Sequence, residues 1–363
     1  MKLLFLFIPI AIVLEQLPHI PAAITFASAA LAIVPLASAM VGATEQLSFR
    51  TGSTIGGLLN ATFGNAPELI ISLMALHAGL LDVVKASIVG VVLGNLLFVV
   101  GLSFLLGGIR YRVQKYNRRG AGTQRSILML AVIAIVIPSL FDGFVSPQFA
   151  HATAGLNLGV AVVLLATYGL NLLFMLKTHP DFFEAKAKGN TDGAEEETAS
   201  WSVATAVAVL LISSVVLALM SEILVASIEP MAVSLRMSRA FIGVIVIALI
   251  GGAPESVAAV AMARKNKLDL TMGIAVGSSI QIALFVAPVL VLSSYFLAPR
   301  PLTLVVGNAG VMLLMLSVLI FAMLVGDGKS NWFKGVQLLS VYLLIALFCF
   351  YLPDQPAQGW LKP

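Results

Sequence analysis

The sequence predicts an all-α integral membrane protein of eleven transmembrane helices, an inverted 5+5 repeat (spans 2–6 and 7–11) preceded by an extra N-terminal helix. Three observations predict it. The 363 residues are 60% hydrophobic and only 10% charged, too few charges to cover a soluble surface of this size. The apolar residues come in long runs rather than periodic half-faces, as a bilayer-spanning chain requires. An internal duplication then relates the two halves.

The runs give spans at roughly 3–18, 21–44, 53–78, 84–107, 125–146, 152–176, 202–228, 239–263, 269–297, 301–325 and 334–352. The first is the weakest: Lys2 followed by apolar residues to Leu14, with Pro21-Ala22-Ala23 beyond, also reads as a signal peptide with a processing site. The organisation is then an N-terminal helix (1–20), a first five-helix repeat (21–176), a polar linker (177–200), a second five-helix repeat (201–352) and a tail (353–363). The linker carries Asp181, Glu184, Asp192 and the run Glu195, Glu196, Glu197. An acidic run of this kind is first of all a solvated segment.

Basic residues orient the chain. With the N-terminus inside, 16 of the 21 Lys and Arg are cytosolic, leaving Lys85, Arg236, Arg239, Arg300 and Lys362 outside, as the positive-inside rule expects. The pI near 9.2 therefore follows topology and gives no sign of nucleic-acid binding. The linker falls in the cytosol. The single cysteine, Cys349, excludes a disulfide framework and a cysteine metal site.

The duplication is read in GNAPELIISLMALHAGLLD (64–82) against GGAPESVAAVAMARKNKLD (251–269), at an offset of 187. The same offset aligns GVVLGNLLFVV (90–100) with GSSIQIALFVA (277–287). Apolar composition inflates identity, so the weight rests on Gly64/Gly251, Pro67/Pro254, Glu68/Glu255, Asp82/Asp269, Gly90/Gly277 and Gly56/Gly243. An odd number of spans per copy makes the copies enter the membrane from opposite sides. Inverted repeats of this kind hold a transporter's binding site near the midplane.

Each repeat centre sets a carboxylate beside glycine and proline within a span. An ionised Glu in hydrocarbon costs roughly 2.5 to 3.5 kcal/mol even on lenient insertion scales, so Glu68 and Glu255 are expected to face a cavity, a partner or an ion. Gly64, Gly251 and Gly252 loosen the helix; Pro67 and Pro254 are expected to remove a backbone donor and free a carbonyl. Carbonyls and carboxylates are the donors of a hard cation. Two carboxylates neutralise one divalent ion, and Ca²⁺ takes about 6–8 oxygens in flexible geometry. Asn65 and Ser72 share a helical face with Glu68, and Asn95, Ser278, Ser279 and Gln281 follow in the next spans. No His or Cys is placed for zinc or copper. Protons and Ca²⁺ would compete for the same carboxylates, the minimal requirement for exchange.

The bland readings differ from residue to residue. A lone intramembrane Glu can cap a helix or pair with a lysine, but the third span contains no Lys or Arg and the eighth only Arg239 at its first position, and two symmetric glutamates are hard to explain that way. Glu45, Glu222 and Glu229 lie near span ends, where a solvated role competes with gating. Asn95 and Gln281 serve equally well as interhelical hydrogen-bond glue.

NATFGNAPELIISLMAL (60–76) closely resembles the first signature repeat of the calcium/proton exchanger family, within the calcium/cation antiporters. GSSIQIAL (277–284) resembles that family's ninth-span motif and SEILVASIE (221–229) its seventh. The resemblance implies Glu68 and Glu255 as central Ca²⁺ and proton carriers, Asn95 and Gln281 as neighbours, the second and seventh spans as moving gates, and the acidic run Glu195–Glu197 as a cytosolic cation-gathering segment. The family's second repeat usually reads Gly-Asn-Ala-x-Glu-His, whereas this chain has Gly251-Gly252-Ala253-Pro254-Glu255-Ser256. A side-chain ligand and a proton-handling group are missing there.

The expectation is a secondary antiporter exchanging Ca²⁺ for protons, with no cofactor beyond its transported ions, no nucleic-acid partner, and a prokaryotic inner membrane as its site. Pro before each Glu is reminiscent of sodium/calcium exchangers, so Na⁺/Ca²⁺ exchange, or Mn²⁺ or Na⁺ against protons, stays open. An intramembrane enzyme is disfavoured: there is no HExxH, no intramembrane Gly-x-Gly-Asp and no Ser–His pair at membrane depth.

Overall fold

Helices account for nearly all regular structure in the computed structural model, which describes residues 2–17, 19–144, 150–179 and 200–352. Most of the acidic linker, including Glu195, Glu196 and Glu197, and the tail from 353 lie outside the described residues. In chain order the helices are α1 (Phe7–Glu15, after a 3₁₀ turn Lys2–Leu6), α2 (Ala22–Phe63), α3 (Ala66–His77), α4 (Leu81–Arg110), α5 (Arg118–Phe144) and α6 (Ala150–Leu173). After the linker come α7 (Val203–Ala226), α8 (Ile228–Leu235), α9 (Arg239–Gly251), α10 (Ala253–Arg264), α11 (Leu268–Leu297), α12 (Gly307–Leu324) and α13 (Trp332–Tyr351). Eight helices among the described residues are long and apolar enough to cross a bilayer, nine if the bent pair α9–α10 is one span.

The differences from the sequence-based spans have local causes. The first helix is short, its apolar part covering Leu3–Glu15. The second and third spans join in one helical stretch, α2, but its axis is not straight. Ser48 Oγ donates to the Gly56 carbonyl at 2.9 Å, whereas eight residues of straight helix span about 12 Å; the chain therefore folds back between them. The tenth span begins at Gly307, because residues 301–306 are not helical.

Element bounds repeat at the sequence offset. Adding 187 to α3 gives α10, and adding it to α4 gives α11, at both ends. Gly79 (φ 77°) and Asn266 (φ 59°) are equivalent left-handed residues between each short helix and the long one after it; glycine and asparagine are the residues that tolerate that conformation. Both long helices widen into π geometry at their middles, Gly94–Val99 in α4 and Ile282–Val286 in α11. Such segments break the α ladder and recur at functional sites.

The last helix of each half packs on the long helix of the other. α13 lies along α4, with the Gly335 carbonyl 3.2 Å from where a Cβ on Gly101 would sit; small residues permit this backbone approach. Phe98 of the first π segment packs against Tyr342 of α13 at 5.3 Å with the rings tilted by 40°, and Phe285 of the second stacks on Tyr168 of α6 at 5.2 Å. Two aromatic braces thus cross between halves in opposite senses. α2 packs along α7, where Ser214 Oγ meets Met40 Sδ at 3.9 Å. Its middle, at the start of the fold-back, is tied to the start of the second half: Gln46 Oε1 accepts from the Ser200 N–H at 2.8 Å and Arg50 Nε donates to the Trp201 carbonyl at 2.8 Å.

Candidate functional site

Two helix breaks bring the site together. In the first half α2 ends at Phe63 and α3 starts at Ala66, with Asn65 (φ −104°, ψ 26°) as the hinge. In the second, Gly252 (φ −78°, ψ 10°) separates α9 from α10, whose axes differ by 62°. Pro67 and Pro254 stand in the first turn of α3 and α10. That corrects the sequence-based expectation: a first-turn proline gives up an N–H that has no helical partner anyway, so the interruption belongs to residues 64–65 and 252. Glu68 and Glu255 fall in the same first turns, where helix N–H groups favour negative charge.

Oxygen atoms converge on the glycines of the breaks, mostly from the opposite half. A Cβ placed on Gly251 would lie 3.4 Å from Glu68 Oε1; one on Gly252 would lie 3.6 Å from Glu255 Oε2 and 3.9 Å from Asn95 Oδ1; one on Gly64 would lie 3.6 Å from Gln281 Oε1. Lacking side chains, these glycines leave the space the oxygens occupy. Glu68 is buried and Glu255 half-buried, and each is within electrostatic reach of the other. Both Glu68 oxygens and Glu255 Oε2 are buried without a hydrogen-bond partner among the described residues, a costly state for a carboxylate.

Beside them runs a hydrogen-bonded chain across the halves. Asn95 Nδ2 donates to Ser278 Oγ at 3.0 Å, Ser278 Oγ donates to Asn65 Oδ1 at 2.6 Å, and Asn65 Nδ2 donates to Gln281 Oε1. Asn65, Asn95 and Ser278 are buried. Ser279 does not join them; its hydroxyl donates to the Ala275 carbonyl, one turn back on its own helix, at 3.0 Å. Ser256, where the family motif has His, likewise bonds back to the Gly252 carbonyl at 2.7 Å.

The remaining candidates lie elsewhere. Glu45, Glu222 and Glu229 are exposed, and Glu229 pairs with Arg239 at 2.8 Å. None of the three lines a cavity at the glutamates.

Two cavities approach the site. A narrow one of about 10 Å³, room for about one water, is lined by Glu68, Ser72, Ser87, Ile247 and Gly251. A second, of about 400 Å³, includes Gln281 and Asn60 at the site and Asn117, Gln124, Asn171 and Asp269 along its walls. Sequence reading missed Asn60, Gln124 and Asn171. Only their polarity within or beside apolar runs marked them, and that is a weak signal without knowing which helices meet.

Interrupted apolar helices carrying opposed carboxylates into an oxygen-lined interior define an integral membrane protein able to hold a hard cation. The chain belongs to the sodium/calcium exchanger protein family, which it matches over residues 21–177 and 205–351. It is 43% identical over 342 residues to the Bacillus subtilis (strain 168) protein named Ca(2+)/H(+) antiporter ChaA, covering 94% of this chain and 95% of that protein. It is 41% identical to the Ca(2+)/H(+) antiporter of Aphanothece halophytica, over 98% of this chain and 97% of that one. The structure of native YfkE superposes with a TM-score of 0.82 at 39% identity, covering 97% of this chain and 99% of that one.

Proposed function

We propose that the protein is a secondary antiporter that exchanges Ca²⁺ for protons by alternating access, with Glu68 and Glu255 binding Ca²⁺ or protons in competition. The observation that carries this reading is the set of buried carboxylate oxygens without a hydrogen-bond partner among the described residues, at two equivalent helix breaks, in a chain over 40% identical to two proteins named as Ca²⁺/H⁺ antiporters. A divalent cation or two protons would neutralise the pair, and only a neutralised pair crosses the low-dielectric interior cheaply. Asn65, Asn95, Ser278 and Gln281 would supply neutral oxygens once their mutual hydrogen bonds open. Gly64, Gly251 and Gly252 keep the space clear.

The proposal includes the topology. The repeats 21–176 and 201–352 are inverted in the bilayer, eleven spans in all when the fold-back in α2 and the short first helix are counted, with residues 177–200 cytosolic in a prokaryotic inner membrane. The larger cavity then opens to the cytosol, because Asn117 adjoins Arg118 and Arg119 on the positive side. α2 and α7 are the mobile pair, and the acidic run 195–197 gathers cations at the cytosolic surface.

Purified protein in sealed vesicles tests it. Ca²⁺ uptake driven by an imposed pH gradient, without Na⁺, is the expected result. Uptake that requires a Na⁺ gradient and ignores pH would overturn proton coupling in favour of sodium exchange.

A further inference from the structure

Besides the two glutamates, the duplication matches one other acidic pair, Asp82 and Asp269, and the exchange mechanism does not use it. Each lies in the first turn of its half's long helix, α4 or α11. From Asp269 to Gln281 is twelve residues of helix, about 18 Å, and from Asp82 to Asn95 thirteen, about 20 Å. A rise of that length leads from the middle of a bilayer to its surface.

Asp269 is exposed and, among the described residues, is the only Asp, Glu, Lys or Arg lining the 400 Å³ cavity, whose other polar walls include Asn60, Asn117, Gln124, Asn171 and Gln281. Arg264, Lys265 and Lys267 are close to it in sequence, and Arg118 and Arg119 directly follow Asn117; all five are exposed, yet none lines the cavity. One carboxylate oxygen accepts the Asn117 N–H at 2.5 Å, which leaves acceptor capacity on both oxygens. Among the described residues, a cation approaching past these basic groups thus meets a single negative group, followed by side-chain amides down to Gln281. The narrow cavity at Glu68 runs between α3 and α4 past Ser72 and Ser87, on the helix that begins beside Asp82.

We infer that Asp269 and Asp82 are portal carboxylates, one for each face of the membrane, each holding a hydrated divalent cation briefly before it passes to the central glutamates. The sidedness rests on the exchange reading above; the binding at Asp269 does not. An inner-sphere cage is not required. A partly hydrated divalent ion beside one carboxylate gains enough to concentrate it locally, and salt screens that gain.

Two measurements test the inference. In everted and right-side-out vesicles at low ionic strength, Asp269→Asn raises the half-saturating Ca²⁺ concentration about five- to tenfold from the cytosolic face only. Asp82→Asn does so from the opposite face only. Maximal rates hold, Asp269→Glu restores the original value, and in about 1 M choline chloride the difference shrinks below about twofold. Effects equal from both faces, salt-independent, or confined to the maximal rate would overturn the portal role in favour of a structural helix-end carboxylate.

Secondly, in protein carrying Glu68→Gln and Glu255→Gln, bound Tb³⁺ should luminesce on tyrosine excitation, since Tyr116 and Tyr168 line the same cavity. Asp269→Asn removes that component and Asp269→Glu keeps it. No Asp269-dependent luminescence defeats the inference whatever the transport data show. An Asp269-dependent signal, where the protein with both glutamates intact fails to couple Ca²⁺ to protons, defeats the exchange reading and leaves the portal site standing.

Discussion

Glu68 of the first half lies against Gly251 of the second: a Cβ at position 251 would sit 3.1 Å from Glu68 Cγ and 3.4 Å from Oε1. The carboxylate is held over the other half's helix break. Its own duplicate, Gly64, faces Gln281 in the same way at 3.6 Å. The repeat thus places each glycine under an oxygen supplied by its partner half.

Gly251→Ala should therefore displace Glu68 without preventing folding. We expect transport to fall at least about tenfold, equivalent to ~1.4 kcal/mol, with the melting temperature little changed. Gly252→Ala should be milder, because its nearest side-chain neighbour, Glu255 Oε2, is at an ordinary 3.6 Å. Initial rates of both variants in vesicles check this; equal losses would contradict it.

Glu68→Gln and Glu255→Gln should each abolish exchange while leaving the protein folded. Gln keeps size and hydrogen bonding but carries no charge and no exchangeable carboxyl proton. Removing a buried carboxylate with oxygens that no hydrogen-bond partner among the described residues reaches should hold or raise thermal stability. Vesicle transport beside a thermal melt reads both, and substantial transport by either variant would sink the two-carboxylate assignment.

Asn65 and Ser278 should behave as one unit. Ser278 donates to Asn65 at 2.6 Å and accepts from Asn95 at 3.0 Å, so losing either partner opens the chain between halves. Asn65→Ala and Ser278→Ala should each raise the Ca²⁺ KM. The double variant should add less than their sum, with a coupling of about 1 kcal/mol. Strict additivity would show that the two act independently.

The crossed aromatic braces predict a ring requirement without a hydroxyl requirement. Tyr342 packs against Phe98 with tilted rings, while its hydroxyl is buried without a hydrogen-bond partner among the described residues. Tyr342→Phe should be neutral or slightly stabilising, since it removes an unsatisfied group. Tyr342→Leu loses the ring–ring contact, about 0.5–1.5 kcal/mol, and loosens the π segment that carries Asn95. A melting temperature lowered in Leu and kept in Phe, with KM following, is the expected pattern.

How far the site was legible depends on the residue. Glu68, Glu255 and Asn65 could be found by reading alone, because a carboxylate beside Gly and Pro in an apolar run is costly and therefore conspicuous. Asn95, Gln281 and Ser278 were candidates whose meeting was not readable; as separate polar residues they fit helix glue equally well. Ser279 stands next to Ser278 in the chain, yet its hydroxyl turns back to Ala275. One residue is about 100° of helix, enough to leave the site. Glu229 could have been a gate or a surface group, and its ion pair with Arg239 matches the solvated alternative.

The sequence by itself determined the membrane class, the 187-residue offset and the carboxylate at each centre. Hydropathy and duplicated motifs are properties of the chain as written. The offset extends to helix ends, the paired left-handed residues at 79 and 266, and the two π segments, because equivalent local sequences meet equivalent local physics. Only the tertiary structure decided which half supplies each contact. Glu68 lies over Gly251, Gln281 over Gly64, Tyr342 on Phe98 and Tyr168 on Phe285. A repeat identifies equivalent residues but carries no information on which of them touch; packing between halves sets that, through small residues that let backbones close to contact distance.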